Sequence, residues 1–156
     1  MVINVREKEQ QGGWANIQIV SLDEFVYCPD VLTNENSASI VIISELDGLD
    51  VLPVAENLKI TEPLSRTKSG IIYNIRGDFE ISCQTKQLDD YFDKYVLKKV
   101  VMIGTKHYGQ QKLYGSKKFP LIFSYTYLNG QKSEQGSRIR IRISGKIPQK
   151  PVFLTE

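Results

Sequence analysis

The sequence is short of the residues that most catalysis and metal binding require. It has one histidine, His107, and two cysteines, Cys28 and Cys83. A single histidine excludes a histidine-based metal cluster within one chain, although a nucleophilic device needs no more than one. His107 stands in a Lys-His-Tyr-Gly run that reads as a solvated turn. Each cysteine sits in an apolar, strand-like context. They read as two buried free thiols, because free cysteine behaves as a small hydrophobe; a disulfide would need Cα atoms within about 7 Å. No apolar run approaches the ~18 residues of a membrane-crossing helix. Residues 1–11 are polar and mixed in charge, without the apolar stretch of a secretory signal. The expectation is a soluble protein made in a cytoplasm, with no cofactor, no metal and no membrane.

A large excess of one charge sign is also lacking. The net charge is +2, too small to announce a nucleic-acid partner, so any basic footprint is local. The hydrophobic fraction of 41% and charged fraction of 24% are ordinary for a globular protein. A chain of 156 residues is one domain by length. It can bury roughly 68–70% of its unfolded surface, enough to fold without a metal or a disulfide.

What is present is β patterning, densest in the C-terminal third. Residues 100–105 read as a buried strand, and 121–127 and 138–144 as two strands joined by a polar loop over 129–137. In Arg138-Ile139-Arg140-Ile141-Arg142-Ile143 the alternation is perfect. Period two puts every isoleucine on one face and every arginine on the other. Leu121, Phe123, Tyr125 and Tyr127 share a face in the same way.

Earlier in the chain, 1–5 reads as a short strand, 6–13 as a loop and 14–20 as a strand. Ser21 caps a short helical turn with Glu24 three residues on. Residues 25–27 are too short to decide, and 29–37 form an exposed loop. The β-branched run 38–44 reads as a strand buried on both faces. Residues 45–53 turn the chain, 57–61 form a short strand and 62–70 a second exposed loop. Residues 71–84 are the longest β candidate, in which Gly77-Asp78 marks either a hairpin turn or a bulge.

The spacing predicts one helix, over 86–99. Leu88, Phe92, Tyr95 and Val96 make one apolar stripe. Asp89 and Asp90 stand in its first turn and Lys98 and Lys99 in its last, complementing the helix dipole. Adjacent carboxylates on a helix point about 100° apart and face no common site. Gly104-Thr105-Lys106 has the letters that end a phosphate loop, but it lacks the upstream glycine and enters no helix. Residues 111–114 return as a strand, and 115–120 form a basic loop. The tail over 147–156 reads as an extended arm, as do residues 1–12. With about eight to ten strands, one helix and no βαβ alternation, the chain reads as a mainly β single domain. The expected form is an antiparallel sandwich or open barrel with the helix, about 87–99, packed on it.

The basic residues form the most suggestive constellation. Lys106, Lys112, Lys117 and Lys118 lie in the turns of the C-terminal third, interleaved with Tyr108, Tyr114 and Phe119. Arg138, Arg140 and Arg142 follow at ~6.8 Å intervals along one strand face. An arginine stripe near aromatics suits a nucleic-acid backbone. Guanidinium forks equally suit an acidic partner strip. The third reading is a solvated outer face. Three like charges on one face repel, so an acidic counterpart is expected, in this chain or another.

The second half resembles small β-rich virion proteins, tail or neck components, of bacteriophages that infect Bacteroidota. The segments that carry the resemblance are Gly70-Ile71-Ile72-Tyr73, Ile81-Ser82-Cys83, and the helix leading to Val101-Met102-Ile103-Gly104-Thr105-Lys106. Leu113-Tyr114-Gly115-Ser116, Phe119-Pro120-Leu121 and the alternating strand ending Ser144-Gly145-Lys146 complete them. The resemblance implies a virion structural role, as a subunit of a ring or tube in the tail or head–tail connection, with no catalytic residues. Ring subunits need two complementary surfaces, and an arginine-faced strand with an acidic surface elsewhere would supply them. The leading expectation is therefore a non-enzymatic virion protein that contacts its own copies and other virion proteins. The alternative, less favoured, is a small β-barrel binding nucleic acid. In either case the candidate contact residues are Lys112, Lys117, Lys118, Arg138, Arg140 and Arg142.

Overall fold

Apolar residues alternate or run β-branched over most of the chain, and strands form there. In the computed structural model the described residues are 14–42, 49–51, 58–81, 84–107, 109–129 and 137–154. They contain β1 (Trp14–Ser21), β2 (Phe25–Tyr27), β3 (Val41–Ile42), β4 (Leu49–Val51), β5 (Lys59–Thr61), β6 (Leu64–Thr67) and β7 (Gly70–Ile81). Helix α1 (Lys86–Tyr95) follows, then β8 (Lys99–Lys106), β9 (Gln111–Tyr114), β10 (Leu121–Asn129), β11 (Ser137–Ile147) and β12 (Val152–Phe153). Strands β2 and β3 pair with each other, and the rest form one sheet. Every pairing is antiparallel. The protein is mainly β, with one helix on a curled, open half-barrel.

The curl starts at β8. Its first residues pair with β10, its later ones with β9, and its other edge with β1 along its length. The sheet thus forks into one layer built on β1, β8, β9 and β12 and another built on β10, β11 and β7. Between them lies the central core, with Ile17, Ile75, Phe79, Met102, Phe123 and Ile141 almost wholly buried. A second cluster, Val20, Phe25, Leu32, Val101, Ile103, Leu113 and Val152, lies on the opposite face of the first layer. Strand β8 is therefore buried on both faces, as its unbroken apolar run predicts.

Gly77 is neither a turn nor a bulge. Strand β7 runs through it in unbroken register with β11, from Ile139 opposite Ile81 to Ile147 opposite Tyr73. A Cβ on Gly77 would lie 2.8 Å from the Met102 sulfur, so the glycine lets the two layers approach.

The helix begins as the sequence reads, with the Thr85 hydroxyl accepting from the Leu88 amide at 3.2 Å. It ends four residues earlier than the sequence suggests. Leu97 takes φ 57° and donates its amide to the Phe123 carbonyl at 2.8 Å. That bond to β10 outcompetes another helical turn, so Lys98 and Lys99 lead into β8 instead of closing the helix. Phe92 and Tyr95 are buried, and Phe92 stacks on Phe123 and Tyr125 at 5.6 and 5.2 Å between centroids.

Three other segments depart from the sequence reading. Ser37–Ser39 is a 3-10 turn and the strand begins at Val41, because the Ser37 and Ser39 hydroxyls bond to nearby carbonyls; residues 43–44 lie outside the described residues. Leu64–Thr67, read as loop, hairpins onto Gly70–Tyr73, and Leu49–Val51, read as a turn, pairs with β1. The tail is no free arm: β12 pairs with β9, Val152 is buried, and the Ser37 hydroxyl donates to the Phe153 carbonyl at 2.7 Å. The expected strand 1–5, the N-terminal arm, Asp47-Gly48, Cys83 and most of the 129–137 loop lie outside the described residues. Among the described residues, no helix is long and apolar enough to cross a membrane.

Candidate interaction surface

The outer face of β7 and β11 carries the arginine stripe. Antiparallel register sets Arg140 opposite Glu80, Arg142 opposite Asp78 and Ser144 opposite Arg76. Each carboxylate takes one guanidinium on each oxygen. Glu80 binds Arg138 and Arg140, both at 3.0 Å. Asp78 binds Arg142 at 2.9 Å and Arg76 at 2.7 Å. The acidic counterpart the stripe requires thus comes from the same chain. Its signal was present: Asp78 and Glu80 alternate at period two, as Arg140 and Arg142 do.

The ladder fixes the arginines without hiding them. Glu80 is 14% exposed at its side chain, while Arg138 and Arg140 remain 43% and 50% exposed. A guanidinium has five N–H donors, and each ion pair uses few of them. Lys59 of β5 lies opposite Asp78, adding a further cation to the face. Lys59, Arg76, Asp78, Glu80, Arg140 and Arg142 line a shallow cleft of about 280 Å³. A smaller depression of about 130 Å³ lies between Arg140, Arg142 and Ser124–Thr126 of β10. Burial alone would raise the Asp78 carboxyl; hydrogen bonds and charge from Arg142 and Arg76 outweigh it and hold it below the ordinary aspartate value. Asp78 therefore contributes stability above its unfolded value of 3.8, and that contribution is lost as pH falls through the lower folded value.

Lys112, Lys117 and Lys118 are not part of this face. Lys112 points to the rim of the central core, where it pairs with Glu62 at 2.6 Å and lies 5.0 Å from the Phe153 ring. Lys117 and Lys118 are exposed in the β9–β10 turn, with Lys118 over Phe119 at 5.7 Å. The six candidates thus separate into an arginine ladder, a lysine latch and an exposed turn.

No protein-family model matches the chain, and no curated protein and no solved structure matches it.

Two further constellations escaped the sequence reading. Glu62 follows β5 and Lys112 sits on β9, so their ion pair joins the two ends of the curled sheet. Glu62 also lies against the Tyr114 phenol, which burial and then the Glu62 charge and hydrogen bond push above its ordinary value. Lys112→Met is expected to cost about 1–3 kcal/mol, because it strands a partly buried carboxylate. Adding Glu62→Gln should return much of that loss, measured by denaturant unfolding of both variants. On the helix, Asp93 accepts from the Tyr125 hydroxyl at 2.6 Å, and Asp89 accepts from that of Tyr127. Carboxylates at i, i+4 here meet tyrosines at i, i+2; the signal was the pair Asp89 and Asp93, not Asp89 and Asp90.

These bonds raise both phenols to about 12, chiefly through the hydrogen bond to each aspartate. A phenol raised in the folded state contributes stability below its unfolded value of 10.0, and this is lost as pH rises toward about 12. Ultraviolet titration should show two tyrosines ionising near 12, and Asp89→Asn with Asp93→Asn should return them toward 10.0. His107 is exposed in its turn, and Cys28 is a free, half-buried thiol. Among the described residues, no group of three or more His, Cys, Asp or Glu is placed to hold a metal ion.

Proposed function

We propose that the chain is a structural subunit of a bacteriophage particle, a tail or head–tail connector component that assembles with its own copies into a ring or tube. The observation that carries this reading is the arginine ladder. A flat, half-exposed set of guanidiniums, fixed by Asp78 and Glu80, offers a surface that a macromolecule meets without ordering it first. Among the described residues, His107 lies in an exposed turn and Cys28 beside Pro29, on the far layer from the ladder. The particle assignment itself draws on the pattern resemblance of the second half, and the extended β face is compatible with it.

Nucleic-acid binding is supported by one feature, the excess of cations on the face: Lys59, Arg76, Arg138, Arg140 and Arg142 against Asp78 and Glu80. It is weakened by those same carboxylates, which would sit against phosphates. Negative-stain microscopy of concentrated protein tests the structural reading, which expects rings or short tubes, unchanged by added oligonucleotide. A dispersed monomer that binds oligonucleotide with a steep salt slope, weakened by Arg140→Ala, would favour nucleic acid instead.

A further inference from the structure

Eighteen of the 20 lysines and arginines lie from Lys59 onward. Between Trp14 and Ile42 the chain carries Asp23, Glu24, Asp30 and Glu35 and neither lysine nor arginine. The fold keeps part of this separation in space: Asp23, Asp30 and Glu35 are exposed, Glu24 is buried, and Lys150 follows Gln149, which donates to the Leu32 carbonyl. Phe25 and Leu32 pack with Val101, Ile103 and Leu113, so residues 22–40 cover the outside of the β1–β8–β9 layer. The arginine ladder lies on the outside of the β7–β11 layer. The central core is between them, so the acidic and basic faces look away from each other.

The acidic segment also leaves apolar side chains in solvent. Val26, Tyr27 and Val31 are 64%, 52% and 71% exposed, interspersed with exposed Asp23 and Asp30. On the basic face, Ile122 of β10 is exposed beside Ser144, next to the ladder. Tyr27 has a ring suited to lie over a guanidinium, and carboxylates suit its unspent N–H donors.

We infer that the arginine ladder of one copy docks on the acidic segment 22–36 of a second copy, in a head-to-tail contact. The inference rests on the self-assembling reading above and names its contact. Two different patches, one on each outer side of the molecule, make a heterologous interface. Repeated, such an interface closes into a ring or continues as a tube. Its electrostatic part weakens with salt, since the charges are exposed. An acidic segment of the same chain fits the ladder better than a nucleic acid does, because its apolar side chains match Ile122 and its spaced carboxylates can avoid Asp78 and Glu80.

Sedimentation of the full chain across concentration tests the contact by charge exchange. Asp23→Lys/Asp30→Lys/Glu35→Lys changes exposed side chains only, and its circular dichroism should match the parent's. Its self-association should weaken at least about tenfold, as should that of Arg140→Glu/Arg142→Glu, in which Asp78 keeps Arg76 and Glu80 keeps Arg138. Mixed, the two variants should associate again, because each reversed face meets its opposite. An acidic-segment variant that associates like the parent overturns this contact while leaving self-assembly standing. Association lost in both variants and absent from the mixture also overturns it. A parent chain that stays monomeric at every concentration overturns both the contact and the reading beneath it. An oligonucleotide that binds the parent and the acidic-segment variant, but not Arg140→Glu/Arg142→Glu, assigns the ladder to nucleic acid and overturns it as well.

Discussion

Phe92→Ala is expected to lower the unfolding free energy by about 3–5 kcal/mol, the cost of removing a buried aromatic side chain. Phe92 has no exposed surface and packs on Phe123 and Tyr125, so it is the main apolar anchor of α1 on β10. The effect should reach beyond packing. Asp89 and Asp93 meet Tyr127 and Tyr125 only while the helix is docked. A helix loosened by the substitution should let both phenols ionise nearer 10.0 than 12. Denaturant midpoint and tyrosine titration therefore report on the same contact from two sides. A titration unchanged in a destabilised variant would show that the aspartates, not Phe92, seat the helix.

The second large effect is a contrast between neighbours. Ile141→Ala should cost about 2–5 kcal/mol, because the side chain is fully buried opposite Phe79 in the central core. Arg140→Ala, one residue earlier on the other face, should change stability by less than about 1 kcal/mol. Glu80 keeps Arg138 when Arg140 is removed, so no carboxylate is left alone. The strand is thus divided between faces, with isoleucines in the core and arginines at the surface. Equal losses from both substitutions, in urea unfolding, would contradict that division.

This division was legible in the sequence because strict alternation admits only one way for a strand to face a core. The stripe of Leu88, Phe92 and Tyr95 was equally plain, since periodicity is a local property. The helix end was not: Val96, Lys98 and Lys99 continue a helical pattern, and only the bond from Leu97 to Phe123 stops it. Gly77 misled for a related reason. Beside Asp78 it looks like a turn or a bulge, whereas its cause is Met102, distant in sequence and brought close by the curl. The Glu62–Lys112 pair depends on that same curl, which no spacing encodes. At the candidate site, the arginines could be named from sequence, but their carboxylates required the register of β7 against β11. The lysines grouped with them by charge alone were separated by the fold.

The claim that this chain presents charged surfaces to its own copies is tested most directly by its mass in solution. Light scattering of the purified full chain, across concentration and at low and high salt, gives that mass. The account predicts discrete multiples of the protomer, growing with concentration and shrinking as salt is raised. A single protomer mass under all these conditions would contradict it.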